Sequence, residues 1–352
     1  MKIMGIETSC DETAASIVEN GDLLLSNVVA SSMDLHVKYG GVVPEVAARS
    51  HIEVIIPVIR QSLADANCIW DDIDGIAVTY GAGLSGSLLV GVLSARTLAI
   101  IFNKPLYAIN HVEAHIYSNF ITHSSLSSKK IRNSKPEFPM LAVIVSGGHS
   151  QLVLFKDHFN YTLLGQTQDD AIGEAFDKVA KILGLPYPGG PSVEKVAKLG
   201  DPKTFDLPKA KMSGYDFSFS GPKTAVLRLA QAQIGETYDF PSYKLAERLS
   251  EAQKVNIAAS FNHVAIETIV DKVKLAYEEF SPRSVVIAGG VASSNELRKQ
   301  LTEALPLPLE FPEPKLCTDN GAMVATLGCY KAALGQEVAD PYALDVEPNL
   351  SM

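Results

Sequence analysis

Apolar and polar positions follow two recurring patterns along this chain. The first is a short apolar run that ends in a small, polar turn. "KIMGIETS" at residues 2–9 is one such run, followed by "AASIVE" and "LLLSNVV", which are joined by "NGD". An Asn-Gly step reaches positive φ at low cost, so it predicts a tight hairpin. The chain is therefore expected to open as strand, polar turn, strand, tight turn, strand. The second pattern is helical spacing, which runs from Val46 to Ala66. "IDGIAVTYGAG" then reads as a buried strand entering a glycine turn, and "SLLVGVLSARTLAIIFN" as a helix carrying Arg96. "PLYAIN" is a short strand, and "HVEAHIYSNFI" opens the next helix.

Residues 123–138, "HSSLSSKKIRNSKPEF", break both patterns and read as a linker rich in Ser and Lys. After it the opening layout returns: "MLAVIVSGGHSQLVLF" is again strand, small turn, strand. That recurrence suggests two related halves. The second half turns helical, with Ala171, Ala175, Val179 and Leu183 on one face of the next predicted helix. "PYPGGPSVEKVAKLG" is a turn followed by a helix, and residues 245–280 read as one long helical region. "SVVIAGGVASSNELRKQLTEAL" is a buried strand, a Gly-Gly turn and a helix. The final helix, "GAMVATLGCYKAALG", is apolar enough to pack back on the first half.

Composition narrows the class. A length of 352 residues points to two domains, and 47% hydrophobic with 20% charged residues fits a globular protein with sizeable cores. No run of about 18 apolar residues is seen, so no spanning helix is expected. The N-terminus reaches an acidic, Cys-containing turn too early for a signal peptide, and a cytoplasmic location is expected. Cys10, Cys68, Cys317 and Cys329 form no CxxC pair and are read as reduced thiols. A formal net charge of −10 argues against a surface that is basic throughout, while leaving room for a local basic patch.

Two features carry chemistry. His111 and His115 stand four apart, so on a helix both imidazoles share a face and can reach one cation. They are also open to the plainer reading of two ordinary helix histidines. In the zinc-peptidase pattern a glutamate directly follows the first histidine; here Val112 holds that place and Glu113 points away from the pair. Asp319 in "CTDNGAM" is either a third ligand or simply a helix cap. The second feature is a set of glycine turns after strands, "VSGGHS", "YPGG" and "AGGVASSN". Glycine lets a backbone approach a phosphate or ribose, and N–H groups there can face an anion. No G-x-x-x-x-G-K-[ST] loop is present, which excludes a P-loop enzyme.

Taken in order, "GIETSCDETAASIV", "YGGVVPEVAARSH", "YGAGLSGSLLVG", "NHVEAH", "VSGGHSQLVL", "DDAIGEAFDKVAKILGLPYPGGP", "DFSFSGPKTAV", "AGGVASSNELR" and "CTDNGAM" span nearly the whole chain. Together they resemble the bacterial TsaD family, the tRNA N6-adenosine threonylcarbamoyltransferases. The resemblance implies an α/β, actin-like ATPase fold of the sugar-kinase and heat-shock-ATPase type (ASKHA): two duplicated ribonuclease-H-like halves around a nucleotide cleft. The expected division is residues 1–135 plus 321–345 for the half carrying the metal site, and 136–320 for the half carrying the adenylate-binding turns.

The same resemblance implies one iron or zinc ion held by His111, His115 and Asp319. Substrate contacts fall on Val145, Ser146, Gly147, Gly148, His149, Asp177, Gly190 and Asn295, and on Glu194, where relatives often carry the shorter Asp. Ser9, Asp11, Glu12, Gly173, Glu174, Gly289 and Gly290 are expected to line the same cleft. The implied reaction moves threonylcarbamoyl from threonylcarbamoyl-AMP to N6 of adenosine 37 in tRNAs reading ANN codons; ATP or ADP are other expected occupants of the cleft, and no general base is identified. Implied partners are tRNA, a TsaB-like paralogous subunit, a TsaE-like small ATPase and the synthase that supplies the donor, with no membrane. For tRNA, "SSKKIRNSK" (Lys129, Lys130, Arg132, Lys135) and "PKTFDLPKAKMSGYDFSFSGPK" (with Lys209 and Lys211) are the candidate patches. The competing readings are a small-molecule kinase or ATPase of the same fold, a metallopeptidase, and a non-catalytic scaffold for a partner complex.

Overall fold

Asn20 and Gly21 both adopt positive φ, 54° and 76°, and close the hairpin of the second and third strands as the Asn-Gly step predicts. Around that hairpin a computed structural model describes residues 1–126 and 130–352; Lys129 of the first basic patch lies outside the described residues. The chain divides into two compact units, Met1–Pro136 with Pro312–Met352, and Glu137–Phe311. The return falls at Pro312, not 321, because the buried Leu316 and Cys317 ahead of Asp319 belong to the first unit. Asp319 is thus in the same unit as His111 and His115.

The first unit holds β1 (Lys2–Glu7), β2 (Glu12–Glu19), β3 (Leu23–Ser31), β4 (Gly75–Gly81), β5 (Leu106–Asn110) and β6 (His123–Ser124) in one sheet, ordered β5-β4-β1-β2-β3-β6. β1, β2 and β3 run antiparallel as a meander, while β4 and β5 join β1 in parallel. Its helices are α1 (Met33–Val37), α2 (Pro44–Asp65), α3 (Ser85–Phe102), α4 (His111–Tyr117), α11 (Pro314–Cys317) and α12 (Gly321–Ala333). Helix α12 lies directly on the sheet. A Cβ on Gly5 of β1 would sit 2.3 Å from both the Ala325 nitrogen and the Gly321 carbonyl oxygen, so only glycine permits this approach.

The second unit holds β7 (Met140–Val145), β8 (Ser150–Asp157), β9 (Asn160–Gln166) and β10 (Ser284–Ala288), ordered β10-β7-β8-β9. Its meander β7-β8-β9 with β10 parallel to β7 repeats the arrangement of β1-β2-β3 with β4. The fold is thus the actin-like one, built from two copies of one mixed sheet. The helices here are α5 (Ile172–Leu183), α6 (Gly189–Ala197), α7 (Ser220–Gln233), α8 (Leu245–Arg248), α9 (Glu251–Phe280) and α10 (Asn295–Ala304). The long helical region expected at 245–280 breaks before α9. Ser250 and Gln253 form a reciprocal capping box there, with Ser250 N–H donating to Gln253 Oε1 at 2.9 Å and Gln253 N–H to Ser250 Oγ at 3.3 Å. The linker is also more structured than its composition suggests: Arg132 is buried and donates to Asn119 Oδ1 at 2.7 Å, and Lys135 pairs with Asp22 at 2.9 Å.

Helix α3 is long and apolar enough to cross a membrane. It is instead a core helix: Leu88, Val92, Ala95 and Ala99 are buried, and Arg96 turns outward to the C-terminal segment. The Arg96 guanidinium donates to the carbonyls of Pro341 at 2.6 Å, Tyr342 at 2.7 Å and Leu344 at 3.1 Å. Further on, Glu347 N–H bonds to Tyr80 O at 2.7 Å and Asn110 Nδ2 donates to Ser351 O at 3.0 Å, so the tail is strapped along the unit to the residue that precedes His111. Arg96→Ala is expected to cost about 2 kcal/mol. A lowered thermal midpoint, with faster proteolytic trimming of the tail, is the result to look for.

Candidate metal centre and glycine turns

Parallel strands β1, β4 and β5 end side by side, and open α/β sheets place ligands at such carboxyl ends. Glu7 ends β1, Thr79 lies near the end of β4, and Asn110 ends β5. Asn110 is also the N-cap of α4, accepting from Val112 N–H at 2.8 Å and Glu113 N–H at 3.2 Å. That cap starts the helix at His111 and aims the first turn at the strand ends.

His111 Nε2 lies 3.6 Å, and His115 Nε2 3.1 Å, from the same oxygen, Asp319 Oδ1. The donor atoms of all three residues lie within 4.8 Å of one another. Donors about 2.0–2.1 Å from a tetrahedral ion stand about 3.3 Å apart, close to the two distances to Asp319 Oδ1. Asp319 is not the helix cap. Asn320 takes that role for α12, accepting from Met323 N–H at 3.1 Å, and this leaves Asp319 to face the histidines. His115 supplies the test of fit. It is buried, and neither ring nitrogen has a hydrogen-bond partner among the described residues, although Nε2 touches Asp319. An imidazole left so costs free energy unless an ion completes it. The three residues form a metal-binding triad.

Glu113 faces elsewhere, as helix geometry requires. It is buried beside Lys331 of α12; burial pushes its carboxyl up to about 7, and the lysine opposes this. Glu113, the acid between the two histidines, therefore does not stand where a peptidase would need its base.

Electrostatics around the triad are strong. Burial disfavours the charged form of His111, yet the Asp319 and Glu7 carboxylates outweigh it and push the imidazole up to about 9. Burial raises Glu7 too, but the neighbouring His111 prevails and holds it below the usual carboxylate range. Of the expected cleft residues in this unit, Ser9 donates or accepts at His111 Nδ1 across 3.1 Å. Glu12 is pushed up to about 9 by burial, then by Asp319 and Asp11. Burial likewise pushes the Cys10 thiol well up, which removes it as a nucleophile. All four cysteines are free.

The glycine turns cluster within the second unit. Ser146, Gly147, Gly148 and His149 form the turn from β7 to β8, closed by Ser146 N–H to His149 O at 2.8 Å and His149 N–H to Ser146 Oγ at 3.1 Å. Gly173, at the start of α5 beside Glu174, packs on that turn: a Cβ there would lie 2.7 Å from Gly147 Cα and Ser146 O. Gly289, at φ +89°, would collide with the Val145 carbonyl at 2.5 Å. So Val145 to His149, Gly173 and Gly289 form one cluster. Asp177 accepts from Gly189 N–H at 2.6 Å, tying α5 to the start of α6 next to Gly190. Glu194 Oε1 accepts from Asn295 N–H and Nδ2, both at 2.9 Å, and holds the start of α10. Gly147, Gly148, Gly190 and Gly290 differ from their packed neighbours, since a Cβ on any of them meets nothing within 4 Å. Packing does not require glycine at these four places; they leave space beside exposed backbone.

The basic patches hold fewer available charges than their sequences suggest. Arg132 and Lys135 are engaged as described, and Lys209 pairs with Asp271 at 2.6 Å and Glu267 at 3.3 Å. Phe217 and Phe219 are buried, so these two rings serve the core rather than stacking, while the partly exposed Tyr215 donates to Glu279 at the surface. Lys203 and Lys211 remain exposed. Reading the sequence also missed Glu7, Thr79, Asn110 and Asn320. The signal for Glu7 was visible as a lone acid closing an apolar strand in "GIETS".

Comparisons with known proteins bear on this geometry. The family described as "TsaD: tRNA N6-adenosine threonylcarbamoyltransferase" matches residues 23–326. A protein of that description from Thermomicrobium roseum is 46% identical over 100% of this chain and 97% of its own length. One from Symbiobacterium thermophilum is 47% identical over 99% and 96%. Among solved structures, component A of the (R)-2-hydroxyglutaryl-CoA dehydratase of Acidaminococcus fermentans matches 95% of this chain and 99% of its own with a TM-score of 0.51 at 16% identity, a likeness of fold.

Proposed function

Because this chain belongs to the TsaD family of tRNA N6-adenosine threonylcarbamoyltransferases, we propose roles for its residues in forming t6A on tRNA. The donor is threonylcarbamoyl-AMP and the acceptor is N6 of adenosine 37 in tRNAs reading ANN codons. His111, His115 and Asp319 would hold one Fe²⁺ or Zn²⁺, since imidazole with one carboxylate suits either ion. When bound, that ion supplies a Lewis acid for the threonylcarbamoyl carbonyl. The observation that carries the assignment is the buried His115, whose ring nitrogens have no hydrogen-bond partner among the described residues yet converge with His111 on Asp319.

The adenylate lies on the glycine turns. Gly147, Gly148, Gly190 and Gly290 leave room for it; the Ile172, Gly173 and Gly189 N–H groups are already engaged, so the Glu174 and Gly190 N–H groups in the first turns of α5 and α6 are the donors proposed for its phosphate. Val145, Ser146, His149, Asp177, Glu194 and Asn295 shape that surface. The division of labour puts the metal chemistry in the unit of residues 1–136 with 312–352, and adenylate binding in residues 137–311. The N6 amine is conjugated to its ring and is a poor nucleophile, so positioning is a large part of the rate. Exposed Lys203 and Lys211 are the cations left for tRNA in the 202–223 segment. A TsaB-like paralogue and a TsaE-like ATPase are the protein partners, and a separate synthase supplies the donor. Four free cysteines suit the cytoplasm.

The test is reconstitution with synthase, partner subunits, threonine, bicarbonate, ATP and tRNA, followed by digestion and mass spectrometry of the nucleosides. Appearance of t6A is expected; its absence with every component present would refute the assignment of substrate. A second result separates ligand space from packing space. Gly147→Ala is expected to leave the thermal midpoint within a degree or so while lowering AMP affinity about tenfold. Gly173→Ala is expected to lower the midpoint itself, because its Cβ meets backbone at 2.7 Å. Equal midpoints for the two variants would contradict this.

A further inference from the structure

Glu7 lies outside the metal triad, yet its carboxylate is fully buried and its surroundings are specific. Oε1 accepts from Ser9 N–H at 2.6 Å, and Oε2 accepts from the Thr79 hydroxyl at 2.5 Å. Oε2 also stands 3.3 Å from His111 Nδ1. A strand end, the following turn and a parallel neighbouring strand therefore fix this carboxylate before it meets the imidazole. The opposite ring nitrogen, His111 Nε2, is the one that faces Asp319 at 3.6 Å. His115 has no equivalent support, since its Nδ1 is buried without a partner among the described residues. Only one of the two histidines is thus held from behind.

We propose that Glu7 is a positioning residue for the metal: by accepting from His111 Nδ1–H it fixes the tautomer whose Nε2 lone pair points at the ion. This rests on the metal reading of the triad. A carboxylate behind a ligating imidazole raises ligand basicity and locks ring orientation, and its loss typically costs about 10–100-fold in metal affinity. Ser9 Oγ, 3.1 Å from the same nitrogen, has a hydroxyl that can rotate and adds no charge, so it does not replace Glu7.

Two measurements test the proposal apart from turnover. The first is the tautomer of His111 in the metal-free wild-type chain, read by ¹⁵N NMR at a pH where the ring is neutral. The Nδ1–H form is expected; an Nε2–H form would overturn the proposal without any variant. The second is Zn²⁺ affinity at pH 9.5, where a proton on His111 no longer competes with the ion, by competition with a chromophoric chelator. Glu7→Gln is expected to weaken Zn²⁺ binding about tenfold in chain that remains folded by circular dichroism. Thr79→Val, which removes a different bond to the same carboxylate, should weaken it less. Unchanged Zn²⁺ affinity in folded Glu7→Gln would sink the idea. If wild type and both variants all failed to bind Zn²⁺ while keeping the Nδ1–H tautomer, the metal reading itself would fall, and this proposal with it.

Discussion

Replacing Asp319 with alanine is expected to lower threonylcarbamoyl transfer to tRNA by about 10³-fold, the rate equivalent of several kcal/mol of electrophilic assistance. Asp319 Oδ1 is the atom on which both histidines converge, at 3.6 and 3.1 Å, and it brings the only negative charge in the triad. Two neutral imidazoles four residues apart make a weak site alone. Asp319→Asn keeps the volume and removes the charge, and should fall nearly as far. Asn320→Ala is the matched control. It removes the cap of α12, worth about 1 kcal/mol, and leaves the ligand in place. The reconstituted assay read by mass spectrometry should therefore separate neighbouring residues: loss of t6A with Asp319→Ala, retention with Asn320→Ala. Full modification by the Asp319→Ala protein would end the metal-centred account.

The contrast between those two residues also shows what a sequence can and cannot disclose. "CTDNGAM" offers two good caps in a row, and local chemistry does not choose between them. The choice is made by packing, because glycines at 5 and 321 let α12 settle on β1 and β2 and turn Asp319 toward a helix some two hundred residues earlier. Features decided locally were legible: the Asn20–Gly21 turn, the His111–His115 face and the repeated hairpins. The capping box at Ser250 and Gln253 is equally local, a Ser three residues ahead of a Gln. Strand β9 hid because "NYTLLGQ" is mostly exposed and lacks a clean apolar face. Helix α7 hid because few of its positions are buried. Glu7 was unreadable as a partner of His111, since a hydrogen bond spanning 104 residues leaves no local periodicity.

Acidification is expected to strip the metal over an unusually high pH range. His111 must be neutral to ligate, but in the metal-free chain it is held up to about 9 by Asp319 and Glu7 against its burial. Below pH 9 a proton competes with the ion, so the apparent affinity should fall by up to tenfold per pH unit, about 50-fold between pH 9 and pH 7. The stability consequence has the opposite sign in the metal-free chain. A folded value of about 9 lies above the ordinary 6.5, so protonated His111 stabilises the fold fully below pH 6.5, and this is lost as pH rises through 9. Thermal midpoints of the loaded and metal-free proteins should therefore diverge as pH is raised, the first gaining and the second losing. Asp319→Ala removes one of the two carboxylates that hold the proton on His111, so the metal-free midpoint of that variant should vary less over the same range. Zn²⁺ affinity measured from pH 6.5 to 9.5 decides the matter. A flat profile between pH 7 and 9 would mean that the carboxylates do not hold the proton on His111.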